Sequence, residues 1–326
     1  MFRNPQQEAQ ELLADGYVAR VLEPSPPTVD NDEWFADDPT SLKGADPDLI
    51  AVTPTTAGEI LWDELAIDDP DIAAFAAERW LGAYKELGAI PKRFAKCRTD
   101  LHRLAYSVVA EARRRANTKL GLRFTKDGFG TPFFNDPTMG DDVQVRVEGT
   151  ELVLQQGSEV SRQTITTLSA AARFVGVVPG TDAAEDNSPE LGDVEEELII
   201  DEESVAFAAD WFGFSTSALE EVRIIPSAKD VSRVQLWPGH FDIAIEMGSA
   251  ERSQRASYGA SLGDDGHEEP YLYVAAFGDV DESNSFWNDD AFSGASVLYS
   301  DLLEEPDPRE AAIEFFQTGN QLLRGR

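Results

Sequence analysis

At 326 residues the chain has room for about two domains of ordinary size, or one with a long extension. With 42% hydrophobic and 10% aromatic residues it can bury a real core, which excludes wholesale disorder. The formal net charge of −34 argues against a protein whose whole surface meets nucleic acid or an anionic membrane, because long-range repulsion opposes the encounter; it fits a high-salt cell or simply strong solubility.

A single cysteine, Cys97, excludes an internal disulfide and a cysteine-based zinc site and fits a reducing compartment. The sequence opens without an apolar h-region, and no run of about eighteen apolar residues occurs, so the expectation is a soluble cytoplasmic protein with no membrane partner.

In chain order, Pro5 to Ala14 predicts a short helix ended by Gly16, and Tyr17 to Leu22 a brief strand. Pro24, Pro26 and Pro27 then stop regular structure, and the acidic run to Pro54 reads as a long surface loop anchored by Trp34 and Phe35. Thr56-Ala-Gly-Glu59 is a capping box that predicts a helix carrying Ile60, Leu61 and Leu65 inward. Asp69-Pro70 opens a second helix, with Ile72, Phe75, Ala76, Trp80 and Ala83 at helical spacing, and Gly88 closes it. A third starts from a Thr99 cap. Its stripe is Leu101, Leu104, Ala105, Val108, Val109 and Ala112, and Arg113, Arg114, Arg115 and Lys119 crowd its last turns, where the helix dipole favours positive charge.

Past Gly121 the period changes to two. Leu120 to Thr125 predicts a strand, Asp127-Gly128 a hairpin turn, and Phe129 to Phe134 the return. Val143, Val145 and Val147 alternate with Gln144 and Arg146, Gly149-Thr150 turns the chain, Leu152 to Gln155 answers, and Glu159 to Ile165 adds a fifth strand before a helix from Thr167 to Val175. Gly180 to Glu203 carries eleven acids and no base, and reads as a solvated linker. A helix from Ser204 to Arg223 follows, with a weak point at Gly213, then strands at Val234 to Met247, Ala256 to Leu262, Tyr271 to Phe277 and Ala295 to Tyr299. Asp307-Pro308-Arg309-Glu310 joins an N-cap, a proline at the first helical position and a box glutamate, and so opens a C-terminal helix.

The fold class expected is α+β: a helical N-terminal region followed by antiparallel sheet units covered by helices. The expected organisation is a loop-rich helical region over 1–98, a helix with a meander over 99–179, an acidic linker over 180–203 and a second α+β unit over 204–326.

The stretch from Leu236 to Phe277 holds two of the three histidines. After Pro238-Gly239, alternation places His240, Asp242, Ala244 and Glu246 on one strand face and Phe241, Ile243, Ile245 and Met247 on the other. Leu236-Trp237-Pro238-Gly239-His240-Phe241-Asp242, together with Gly128-Phe129-Gly130-Thr131-Pro132-Phe133, Tyr258-Gly259-Ala260-Ser261 and Glu269-Pro270-Tyr271-Leu272-Tyr273-Val274, resembles a widespread family of uncharacterised actinobacterial proteins over most of the chain. Its element order is also similar to a second domain of unknown function with a Trp-Gly-Ser-Phe-Asp-Leu-Ala strand. The resemblance implies a bacterial cytoplasmic protein and supplies no catalytic residue.

Three constellations could carry chemistry. The first is an ionisable strand face amid aromatics, which suggests a small-molecule pocket lined by Trp237, His240, Asp242, Tyr258, His267 and Tyr273. The same residues offer a second reading, a hydrolase holding a divalent metal on His240, Asp242 and His267, with Glu246 or Glu268 as general base. Against both stands the plain alternative that His240 ends a strand, Asp242 and Glu246 face solvent, and the aromatics are core.

The second constellation is basic. Lys92 to Lys126 holds eleven Lys or Arg against Asp100 and Glu111, a net +9 that leaves −43 for the rest of the chain. It fits nucleic acid poorly given the global charge, a small anion held by Arg123 beside the Gly128-Phe-Gly-Thr131 loop better, and a basic helix docked on the protein's own acidic surface best. The third is the aromatic set Trp237, Tyr258, Tyr271, Tyr273, Phe277, Phe286 and Trp287, which reads as core before it reads as the floor of a ligand pocket. A further functional reading is an interaction module in which acidic surface and basic helix recruit a protein partner through Arg113, Arg114 and Arg115. His102, beside an apolar stripe, reads as a boundary residue. The chain has no Ser-His-Asp motif, P-loop or dinucleotide fingerprint.

Overall fold

The computed structural model describes residues 87–325 except 126, 157–158, 181–187, 226, 233, 250 and 282, together with two short strands, β1 (Leu49–Ala51) and β2 (Glu59–Leu61). The expected helix at Pro5–Ala14, the strand at Tyr17–Leu22, the Trp34–Phe35 loop and the Asp69–Pro70 helix lie outside the described residues. The helix expected from Thr56 is corrected: Glu59–Leu61 is a strand paired antiparallel with β1, Ile60 opposite Ile50.

Helix α1 (Phe94–Leu104) runs through a π-helical turn (Ala105–Val109) into α2 (Ala110–Asn117). It begins five residues before the expected cap because Phe94 packs edge-on against Phe207 at 4.6 Å, while the Thr99 hydroxyl bonds back to the Ala95 carbonyl from inside the helix. A six-stranded antiparallel sheet follows: β3 (Arg123–Thr125), β4 (Gly128–Gly130), β5 (Phe134–Asp136), β6 (Gly140–Glu148), β7 (Glu151–Gln156) and β8 (Glu159–Thr164), with α3 (Leu168–Val175) after it. Thr167 caps α3 by accepting from Ala170 N, and Gly176 ends it at φ +77°. The hairpin before β4 turns one residue earlier than expected: Asp127 takes the left-handed backbone at φ +56°, and Gly128 is already paired, with Thr125.

Helix α4 (Glu202–Ile224) is capped by Asp201 and runs unbroken through Gly213. A side chain at that glycine would meet the Phe124 ring at 3.2 Å, so the residue expected to weaken the helix lets it approach β3 instead. The second sheet has five strands in the order β13 (Gly294–Leu298), β12 (Tyr271–Ala276), β11 (Ala256–Ser261), β10 (Asp242–Met247), β9 (Gln235–Trp237). Helix α5 (Tyr299–Glu304) and the C-terminal α6 (Pro308–Arg324), capped by Asp307, complete the fold. The two sheets meet where Leu122 and Leu236 exchange both backbone hydrogen bonds at 2.8 Å.

One buried cluster joins α1, α2, α4, α6 and both sheets. On the five-stranded sheet it takes the face of Leu236, Ile243, Ile245, Tyr258, Ala260, Leu272 and Val274: Phe316 of α6 meets the Tyr258 ring, and Gly319 lies against Val274. The residues of 188–201 bind α1 through their backbone: Leu191 and Asp193 carbonyls accept from Arg103, and Ile199 N donates to Asp100. Glu190, Asp193, Glu195, Glu196 and Glu197 are exposed, while Leu198 is buried and Asp201 caps α4.

Candidate functional site

The β10 register defines the other face of the five-stranded sheet. Asp242 lies opposite Trp237 on β9 and Ser261 on β11; Ser261 lies opposite Tyr271 on β12. The next row is Gln235, Ala244, Gly259 and Tyr273, and the third holds Glu246, Ser257 and Ala275. All belong to the face turned away from α6, because alternate residues of a strand point to opposite sides.

Expected alternation therefore holds from Asp242 to Met247 but was carried one period too far. His240 is not on the strand: it is an exposed residue of the four-residue hairpin loop 238–241, closed by Phe241 N donating to the Trp237 carbonyl at 2.7 Å. Phe241 sits at φ +55°, an uncommon conformation for a bulky residue, and burial offsets the strain. Its ring is packed by Phe129 at 5.1 Å and Phe212 at 5.6 Å, and His102 stacks on it at 5.3 Å. His102 Nε2 lies 2.9 Å from the Pro238 and Gly239 carbonyls, to which it donates, so this half-buried boundary histidine also clamps the loop. Burial, helped by His240 and Arg98 nearby, pushes the His102 ring down to about 4 against the two hydrogen bonds that favour its charge.

Asp242 is 6% exposed and accepts a short hydrogen bond from Tyr273 Oη on Oδ2. Tyr273 starts two strands away and crosses β11 to reach it. Gly259 makes the crossing feasible: a Cβ there would lie 2.5 Å from Tyr273 Oη and 2.6 Å from Cζ. Burial pushes the Asp242 carboxyl up, against the Tyr273 bond and His240, which pull it down; burial and the Asp242 charge push the Tyr273 phenol well up. Asp242 Oδ1 is buried and has no hydrogen-bond partner. Such an atom costs roughly 1–3 kcal/mol.

A second set adjoins the first. His267 Nε2 lies 2.9 Å from Asp289 Oδ2, its backbone N donates to Asp264 Oδ1, and its ring stacks on Tyr271 at 4.0 Å. Tyr271 Oη donates to Asp264 Oδ2 at 2.6 Å, and its ring lies 6.0 Å from Tyr273. Burial works to raise Asp264, but the bonds from Tyr271, Gly266 N and His267 N outweigh it and hold the carboxyl low. His267 Nδ1 is buried without a hydrogen bond. Phe292 closes the side, 6.1 Å from Tyr273 and 6.4 Å from His267.

The structure thus brings Trp237, Asp242, His267 and Tyr273 to one side of the sheet and leaves Tyr258 out. Tyr258 is fully buried on the opposite face against Phe316, and its place in the expected pocket is corrected by the strand parity that separates it from Gly259. Glu246 is bound by Arg255 at 2.8 Å toward the far end of β10, and Glu268 is exposed. Among the described residues no group of three or more His, Cys, Asp or Glu is arranged to hold a metal ion, so His240, Asp242 and His267 are not a ligand set.

Arg123 is buried in β3, opposite Gly130, in the other sheet. Part of the basic segment is engaged within the fold: Arg113 is 2% exposed and donates to the Gly121 carbonyl, Arg114 pairs with Glu111, and Arg115 with Asp136, while Lys92, Arg93 and Lys96 are exposed. Sequence reasoning passed over Asp264, Asp289 and Gly259. The Tyr271, Tyr273 alternation and the Asp264-to-His267 spacing were the available signals; the Gly259 crossing had none.

No helix among the described residues is long and apolar enough to cross a membrane. No family model, curated protein or solved structure matches the chain.

Proposed function

We propose that this α+β protein binds a small molecule on the Asp242 face of its five-stranded sheet. The observation that carries the reading is Asp242 Oδ1, a buried carboxyl oxygen with no partner, beside a tyrosine that holds the other oxygen in place. A fold that takes the cost of an unsatisfied buried carboxyl usually gains something by it, and completion by a ligand is the direct gain. Half-buried Trp237 and exposed His240 mark the rim, and Tyr271, Tyr273 and Phe292 supply ring surface. The test is thermal unfolding of the wild type and of Asp242→Asn with a metabolite library. A ligand that raises the melting temperature of the wild type by several degrees and leaves the variant unmoved supports the site. A shift that survives the substitution, or a library without a hit, counts against it.

A further inference from the structure

Two buried atoms on this side of the sheet have no hydrogen-bond partner, Asp242 Oδ1 and His267 Nδ1. Asp242 Oδ1 is the partnerless oxygen of a carboxyl whose other oxygen Tyr273 holds, and as an acceptor it is the atom a ligand would complete. Asp289 accepts from His267 Nε2 at 2.9 Å, while His267 Nδ1 lies 3.6 Å from Asp264 Oδ1, which receives the His267 backbone N–H. Tyr271 bridges the two positions, stacked on His267 and 6.0 Å from Tyr273.

A ligand that satisfies such a site must bring donors, and the site's own charges select among donors. Asp242, Asp264 and Asp289 are carboxyls. The cations near them are engaged: Arg98 Nη1 donates to the Leu262 carbonyl at 3.2 Å and points toward that of Glu268 at 3.4 Å, and Arg255 holds Glu246. A hydroxyl offers one hydrogen and no charge. An ammonium offers three, with a charge that a buried carboxylate and the faces of Trp237, Tyr271, Tyr273 and Phe292 can both stabilise.

Resting on the ligand-binding reading above, we infer that the ligand is an organic amine, bound as its ammonium at Asp242 with its apolar body against the tyrosines and Phe292. The charged and titratable groups that face Asp242 are His240, Tyr273, Tyr271 and Asp264. An ammonium docked at Asp242 forms an N–H···O bond to Oδ1, and no covalent bond is made or broken.

The experiment uses three probes of matched shape on the full chain, 2-phenylethylamine, 2-phenylethanol and 3-phenylpropionate, followed by calorimetric and NMR titration. The expected result is that the amine binds at least ten-fold more tightly than either analogue. Asp242→Asn should weaken it at least ten-fold, and Tyr273→Phe, which keeps the ring over Gly259, should weaken it less. Equal binding of amine and alcohol, preference for the carboxylate, amine binding that ignores Asp242→Asn, or no binding of the amine overturns the inference. If the alcohol or the carboxylate binds and is lost in Asp242→Asn, the site stands and only its cation preference fails.

Discussion

Gly259 is the residue whose substitution tests the geometry most directly. Its backbone is ordinary strand, so the argument is one of space: an alanine Cβ would stand 2.5 Å from Tyr273 Oη, 2.6 Å from Cζ and 2.8 Å from Ala244 Cβ. Gly259→Ala must lift the Tyr273 ring off β11 and break its bond to Asp242. Overpacking of a filled interior costs about 1–3 kcal/mol. Loss of a hydrogen bond to a buried carboxyl adds about 1.5–3 kcal/mol, so the expected loss is roughly 3–5 kcal/mol. Equilibrium urea unfolding, followed by circular dichroism, measures it. The decisive form is a cycle with Tyr273→Ala. Without the ring, the alanine meets only Ala244, and the cost of Gly259→Ala should fall by about 2 kcal/mol or more. If the two substitutions add to within about 0.5 kcal/mol, Tyr273 does not depend on Gly259 and the reasoning is wrong.

Two further outcomes follow from buried titratable groups. Asp242 has a folded-state pKa above its unfolded value, so its contribution to stability is full below the unfolded carboxylate range and is lost as pH rises through the folded value. Asp242→Asn should remove that alkaline-side loss, and stability-versus-pH curves that superimpose for the two proteins would refute it. His102 is lowered, from the usual 6.5 to about 4, so stability is full above the unfolded value and falls as pH drops across that window, by up to roughly 3 kcal/mol. His102→Gln, which can still donate to the loop carbonyls but does not titrate, should flatten the slope between those values; an unchanged slope would place the acid sensitivity elsewhere.

Elements whose signals are local were legible in the sequence. Asp307-Pro308 opens α6, Thr167 caps α3, and Gly149 turns β6 into β7 at φ +59° because a cap or a tight turn is decided by three or four neighbouring residues. Elements set by distant partners were not. Phe94 starts α1 because Phe207 waits more than a hundred residues later, and the place of Gly213 in α4 is explained only by the Phe124 ring that lies across from it. The same division runs through the site. The face of Asp242 could be read from its strand period, and Trp237, His267 and Tyr273 were named with it. That Tyr258 belongs to the other face follows from a register that no single strand contains. Loss of His240 to a loop follows from a turn that interrupts β9 and β10 where hydropathy alone continues.

The charge segregation has an internal explanation that bears on the site. The basic segment uses arginine as a staple for backbone carbonyls. Arg103 takes Leu191 and Asp193, Arg113 takes Gly121, and Arg115 takes Gly176. A planar fork of five donors can hold two such oxygens at once, which the point charge of lysine does less well. The run 188–201 is held on α1 through Arg103 and Asp100, while its Glu190, Asp193, Glu195, Glu196 and Glu197 are exposed. Much of the arginine charge thus serves the fold, on a chain of net −34. A solvated field of one sign raises the local concentration of counter-ions over about a Debye length, roughly 8 Å at physiological ionic strength. It would favour the approach of an ammonium to the Trp237–His240 rim and oppose that of a phosphate, so the on-rate of the amine should fall as salt rises while that of its neutral analogue stays unchanged.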